Sequence, residues 1–268
     1  MWIKKITHKT VIFTLISFFA VSALNHNISD KISLKMYRVS YDKNEVQSMI
    51  NLAWDVNATT AFRFWRYLEV PVTTILSQAC FNGDYETVRV LLKKGASVNI
   101  VDGELTSPLI SALDARVNSV RIMRLLLECG ANPNDKMVIP PYYPMLKLVQ
   151  NPTTEPTKVE RDLEMFELLA QHGAKLVNEN GSNILMTAAS YNNIGIVKHL
   201  IENGYSGVND QNYNGLTALM VATRHMDILE YLLSHGADKT IRNNEGKTAY
   251  DYAIERGHYE SAELLRLD

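Results

Sequence analysis

Cysteine is almost missing from this chain, and so is any excess of charge. Two cysteines in 268 residues, Cys80 and Cys129, cannot build a disulfide framework, and both are expected as free thiols. Lys plus Arg number 27 against 29 Asp plus Glu, a net charge of −2. That balance excludes the broad positive field of a nucleic-acid binder. The sequence contains no phosphate-binding glycine loop of either common spacing and no G-x-S-x-G nucleophile elbow. Seven histidines invite a search for a metal or a general base. His172 and His235 stand just before glycine stops, His258 follows Gly257, and His8 and His26 lie near the N-terminus. His199 and His225 have no His, Cys or carboxylate at ligand spacing. No metal, no cofactor and no catalytic residue is therefore expected, and the chain does not read as an enzyme.

What is present begins with a leader. Lys4, Lys5 and Lys9 precede Val11–Leu24, where 11 of 14 residues are apolar. Val21-Ser22-Ala23 then offers small residues for cleavage, completing the plan of a secretory signal peptide over 1–23. Fourteen residues fall short of the ~20 needed to span a bilayer. An uncleaved inner-membrane anchor is the alternative, and either outcome places the rest of the chain in the periplasm. Cleavage leaves 24 basic and 29 acidic residues, a net charge of −5. Residues 24–40 read as a polar linker. Residues 41–70 carry Val46, Met49, Ile50 and Trp54, then Phe62, Trp65 and Leu68, at helical spacing. They read as a degenerate helix pair that caps a stack beginning near residue 71.

From Thr74 the chain repeats itself. Thr74 is a helix cap, Leu76 and Ala79 share one face, and Asn82-Gly83 breaks the helix. Val88, Leu91 and Leu92 form the stripe of a second helix, and Gly95 stops it. The stop recurs at Gly130, Gly173, Gly204 and Gly236, with gaps of 35, 43, 31 and 32 residues. The opening recurs at Thr106-Ser107-Pro108-Leu109, Ser182-Asn183-Ile184-Leu185, Thr217-Ala218-Leu219 and Gly246-Lys247-Thr248-Ala249. Two helices this short cannot bury their apolar faces alone, so the units must stack. Boundaries fall at about 71–103, 104–137, 138–180, 181–214, 215–245 and 246–268. In the second unit, three extra residues near 114–118 are expected to lengthen the inter-helix turn. In the third, Asn151–Lys158 carries two prolines and reads as an exposed loop before a helix over 162–172.

This pattern resembles the ankyrin family's G-x-TPLH-x-A…LL-x-x-GA-x-x-N motif over 71–268. The resemblance implies an all-α ankyrin-repeat solenoid, with short β-hairpin or loop fingers between repeats and an N-terminal helical cap. It also implies a protein-binding scaffold, whose contacts come from finger tips and first-helix residues. Carried onto this chain, the finger candidates are Asp102, Glu104, Tyr142, Tyr143, Asn180, Tyr213 and Asn243. The first-helix candidates are Gln78, Phe81, Tyr191, Asn192, Arg224 and His225. Phe81 and Tyr191 are expected at one equivalent place, just before the inter-helix turn. In plan the chain is similar to exported bacterial ankyrin immunity proteins that neutralise type VI phospholipase effectors. The expected partner is thus another protein, a lipase-type toxin encoded nearby, with no nucleic acid and no membrane contact beyond the leader. A periplasmic adaptor for an envelope or stress enzyme, and a secreted effector aimed at a host, remain the alternatives.

Overall fold

The computed structural model describes residues 35–37, 72–99, 107–135 and 143–267. The leader, the cap over 41–70 and the candidates Asp102, Glu104 and Tyr142 lie outside the described residues. Twelve helices and two short strands follow in order among them: β1 (Lys35–Tyr37), β2 (Val72–Thr74), α1 (Ile75–Phe81), α2 (Tyr85–Lys93), α3 (Pro108–Leu113) and α4 (Ser119–Glu128). Then come α5 (Pro144–Val149), α6 (Pro156–Gln171), α7 (Ile184–Ser190), α8 (Ile194–Glu202), α9 (Ala218–Val221), α10 (Met226–Ser234), α11 (Ala249–Glu255) and α12 (Tyr259–Leu265). The odd-numbered helices pack in sequence on one another, and α2, α4, α6, α8 and α10 do the same in a second layer. The result is a helix-turn-helix solenoid. Strand β1 belongs to the stretch read as linker, and it pairs antiparallel with β2, Lys35 opposite Thr74.

Five of the six first helices among the described residues start where the sequence places a small polar cap; α5 follows Tyr143, which makes no side-chain cap bond. Thr74, Ser107, Asn183, Thr217 and Thr248 accept the backbone N–H three residues on. The stops are equally regular: Gly95, Gly130, Gly173, Gly204 and Gly236 all have φ between +68° and +88°. That backbone is cheap only for glycine. Between caps and stops lies one continuous core. Leu76, Leu91, Leu109, Leu126, Phe166, Leu185, Leu200, Leu219, Leu232 and Leu265 are all buried in it. Each such side chain contributes about 1.5–3 kcal/mol by leaving water.

Successive repeats are tied by an asparagine clamp, built at Asn99 and Asn134 on the final Asn of the GA-x-x-N motif, whose bonding the sequence pattern does not announce. Asn99 Nδ2 donates to the Gly130 carbonyl at 3.0 Å, and its Oδ1 accepts from the Asn132 N–H at 2.8 Å. Asn134 does the same to Gly173 and Lys175, and Asn209 to Gly236 and Asp238. The third repeat has Val177 in that position, half exposed, and forms no such clamp. Its junction with the fourth is made instead by the Asn193 amide, which donates to the Val149 carbonyl at 3.1 Å, and by Glu167. That carboxylate takes Nε2 of His199 at 2.6 Å and the Tyr205 hydroxyl at 2.9 and 3.0 Å. Phe166 packs edge-on to both rings. His199 therefore does have a carboxylate partner, 32 residues away in the sequence.

Two sequence expectations about these elements are corrected by the structure. Helix α6 starts at Pro156, not at 162, and only 151–155 is loop. Pro156 occupies the first helical position, where its missing N–H costs nothing and its fixed φ suits the helix. The second inter-helix turn has five residues, 114–118, against three in the first, so the insertion is two residues and not three. Within the Thr106-Ser107-Pro108-Leu109 opening, Ser107 is the cap of α3.

Candidate functional site

The candidate contact residues separate into two groups, at opposite ends of the first helices. One group is on the fingers. Asn178 Oδ1 accepts from the N–H groups of Asn180 and Ser182 at 3.2 and 2.9 Å, which shapes the finger between the third and fourth repeats. Asn212 and Asn243 organise the next two fingers in the same way. The fingers are also linked laterally. Tyr213 N–H donates to the Asn180 carbonyl at 3.3 Å, and Asn244 Nδ2 donates to the Tyr213 carbonyl at 2.8 Å.

Tyr213 is 74% exposed, more than any other large apolar or aromatic side chain among the described residues. Its ring nevertheless has a seat. A Cβ on Gly181 would meet three ring atoms at 2.6–2.9 Å, so the ring lies directly against that glycine's backbone. One face is covered and the other is open. Backbone bonds on both sides and the Gly181 contact hold an aromatic side chain in place before any partner arrives. A ring held this way loses little entropy on binding.

The second group lies at the turns between first and second helices. Tyr191 follows α7 and is 45% exposed. Asn192 beside it takes the left-handed conformation, φ +61°. Arg224 is exposed, and His225 Nε2 meets the Ser190 carbonyl at 3.1 Å. Thus Tyr191, Asn192, Arg224 and His225 come together across the junction of the fourth and fifth repeats. Burial pushes the His225 imidazole below its ordinary pKa, against an opposing pull from the Ser190 carbonyl.

Several candidates do not belong to either group. Gln78 is buried at 2% exposure, inside the core that α1 shares with its neighbours. Asn243 is buried as well, and its side chain is committed to the finger turn. Both resemble surface contacts in the sequence because a polar residue in a repeat looks available when its hydrogen bonds cannot be seen. Phe81 is half-buried as the last residue of α1, whereas Tyr191 caps α7 one position later, so the two are not equivalent. Tyr143 is half-buried, with its hydroxyl 3.3 Å from Glu179 and the Lys175 ammonium 5.6 Å from its ring centre. The signal that separates these cases is the N-x-[NE]-G pattern of the fingers at 178, 212 and 243.

Among the described residues, no three His, Cys, Asp or Glu side chains are grouped to hold a metal. No helix there is long and apolar enough to cross a membrane. Cys80 is buried and Cys129 exposed, both as free thiols, and burial pushes the Cys80 thiol far above its usual pKa.

Stacked two-helix units joined by organised fingers, with exposed aromatics on the finger and turn edges, define a solenoid built for protein–protein interaction. The family model for ankyrin repeats matches in three copies, at residues 39–137, 158–243 and 207–268, and the chain belongs to the ankyrin-repeat family. The first match begins inside the segment read as the N-terminal linker and cap. The solved ankyrin repeat protein EF0377 is 30% identical, with a TM-score of 0.56, over 71% of this chain and 95% of that one. The chain is also similar to YahD of Escherichia coli (strain K12), 26% identical over 70% of this chain and 92% of YahD. A structure described as the predatory endopeptidase Bd0816 of Bdellovibrio bacteriovorus in complex with immunity protein Bd3460 shares the fold. There the identity is 24% and the TM-score 0.56, over 72% of this chain and 97% of the matched one. Other curated relatives are much longer. The match spans 21% of ankyrin repeat protein L91 of Acanthamoeba polyphaga mimivirus and 10% of a rat ankyrin repeat and SAM domain-containing protein.

Proposed function

We propose that this chain is an exported, periplasmic immunity protein that binds a lipase- or phospholipase-type toxin and covers its working surface. The observation that carries the reading is Tyr213, an aromatic ring seated on Gly181 with its other face open. Tyr191 adds a second exposed aromatic on the next edge. An enzyme that acts on lipid presents an apolar rim around its active site, and a pre-set aromatic anchor complements such a rim. The leader over 1–23 supports export. The fold shared with a chain of an endopeptidase–immunity protein complex supports a role of this kind. Blocking by occlusion asks for no chemistry from the ankyrin chain itself.

The test is co-expression of the full chain with the lipase-type gene next to it, the toxin being directed to the periplasm. Growth is expected to be restored by the full chain and not by a chain lacking residues 1–23. Continued killing in the presence of well-expressed, exported protein would sink the proposal. In that case, recovery of an envelope enzyme as the stoichiometric partner would favour the adaptor role.

A further inference from the structure

The junction of the fifth and sixth repeats carries a cleft separate from the fingers' tyrosine and from the inter-helix turns. It encloses ≈350 Å³, with Lys239, Arg242 and Arg266 among its walls, together with Asp251, Tyr250 and Leu267. Three cations face one carboxylate, and that carboxylate is already occupied. Asp251 Oδ2 accepts from both the N–H and the hydroxyl of Thr248 at 2.8 Å. Those bonds, with the fields of Arg242 and Lys247 beside them, hold its carboxyl below the usual range. The cations are less engaged. Arg242 Nη1 donates to the Gly246 carbonyl at 2.7 Å, one bond from a side chain with five donors. Lys239 Nζ reaches the Arg266 carbonyl at 3.5 Å, and Arg266 lies 3.6 Å from an exposed Glu263.

Comparison with the preceding repeat shows what is unusual. Gln211 holds the place of Arg242. It donates to the Gly215 carbonyl at 2.7 Å, as Arg242 does to Gly246, and also to the Arg242 carbonyl of the next finger at 3.0 Å. Arg242 keeps the first bond. Among the described residues no backbone acceptor takes the part of the second. A neutral amide bonded to a finger has become a cation directed at an open cleft. Beside it, Leu267 is 53% exposed and Tyr250 half-buried, giving the cleft an apolar wall.

We propose that this cleft binds a carboxylate carried by an acidic peptide segment of a partner protein. The guanidinium forks of Arg242 and Arg266 match a carboxylate's two oxygens. Tyr250 and Leu267 receive the carbon stem of the acidic side chain. The acceptor that the cleft lacks is the kind a neighbouring peptide backbone supplies. This site is independent of the toxin reading and can hold or fail without it.

The experiment titrates the full chain with a labelled tetraglutamate peptide, a tetraglutamine peptide and, separately, inorganic phosphate. Tetraglutamate is expected to bind and tetraglutamine not to. The pair Arg242→Gln and Arg266→Gln is expected to weaken binding at least about tenfold, the loss of charged hydrogen bonds. Gln211 shows that glutamine keeps the finger bond, so thermal unfolding of the variant should match the parent. Equal binding of the two peptides, or undiminished binding by the variant, overturns the proposal. Phosphate binding that depends on the arginines, without peptide binding, also overturns it and assigns the cleft to free anions.

Discussion

Tyr213 and Gly181 form a unit in which each explains the other. Gly181 has φ +78°, and any side chain there would collide with the tyrosine ring. Gly181→Ala should destabilise by about 1 kcal/mol or more through backbone strain, and should also displace the ring. Tyr213→Ala should leave the melting temperature almost unchanged, because the ring is largely exposed, yet weaken the partner about tenfold or more. Thermal unfolding and the co-expression growth test separate the two effects; equal loss of stability in both variants would contradict this division. His225 gives a prediction in pH. Its folded pKa lies below the ordinary value near 6.5, so the unfolded chain binds the proton more readily. The stability it contributes is complete above the unfolded value and is lost as pH falls through the folded one. Urea midpoints for the parent and His225→Gln should therefore converge on going from pH 7.5 to pH 5. A pH-independent difference would place the effect elsewhere. Neither residue's role can be read from its type alone. Tyr213 stands out in the sequence by its position on a finger, but its seat on Gly181 depends on a contact between residues 32 apart.

At the scale of helices and turns, most of the architecture is legible in the sequence. Caps at Thr74, Asn183, Thr217 and Thr248 and stops at the five glycines are local chemistry, so a single sequence carries them. The sequence misleads where one residue type serves two purposes. Pro156 ends a helix when it is internal and starts one at the first position, and the run of threonines before it favours the wrong choice. The bonding of the asparagine clamp is invisible for a different reason: its acceptor and donor lie a full repeat away. Asn209→Ala removes the bond to Gly236 and leaves the Asp238 N–H without its acceptor. A loss of about 1–2 kcal/mol is expected, measured by urea unfolding. The same change at exposed Asn203, which bonds only within its own helix end through the His199 carbonyl and ring, should cost less. A larger loss at Asn203 than at Asn209 would show that the clamp does not couple repeats.

For the whole molecule, stability in a stack is close to a sum of repeat terms and nearest-neighbour junction terms. The junctions here are not alike. Those after the first, second and fourth repeats have the backbone clamp, whereas the third uses Glu167 with His199 and Tyr205, beside the Asn193 bond to Val149. Burial and the neighbouring Glu167 carboxylate raise the Tyr205 phenol above its ordinary pKa, so it stays a donor throughout the physiological range. A backbone clamp is repeated in kind along the array, but at this junction one carboxylate, beside the Asn193 bond to the Val149 carbonyl, takes its place. Glu167→Ala would leave a phenol and an imidazole without their acceptor, costing about 1–3 kcal/mol at that single junction. Cooperativity across a one-dimensional array fails first where a junction is weakest. Native-state hydrogen exchange should therefore show α1–α6 and α7–α12 opening together in the parent and at separate free energies in the variant. A uniform drop across all twelve helices would mean that α5 packing on α7, rather than the Glu167 junction, carries the coupling. The consequence for binding follows from position. Tyr213 and Tyr191 both lie beyond that junction, so the variant should retain partner binding even when its first three repeats open independently.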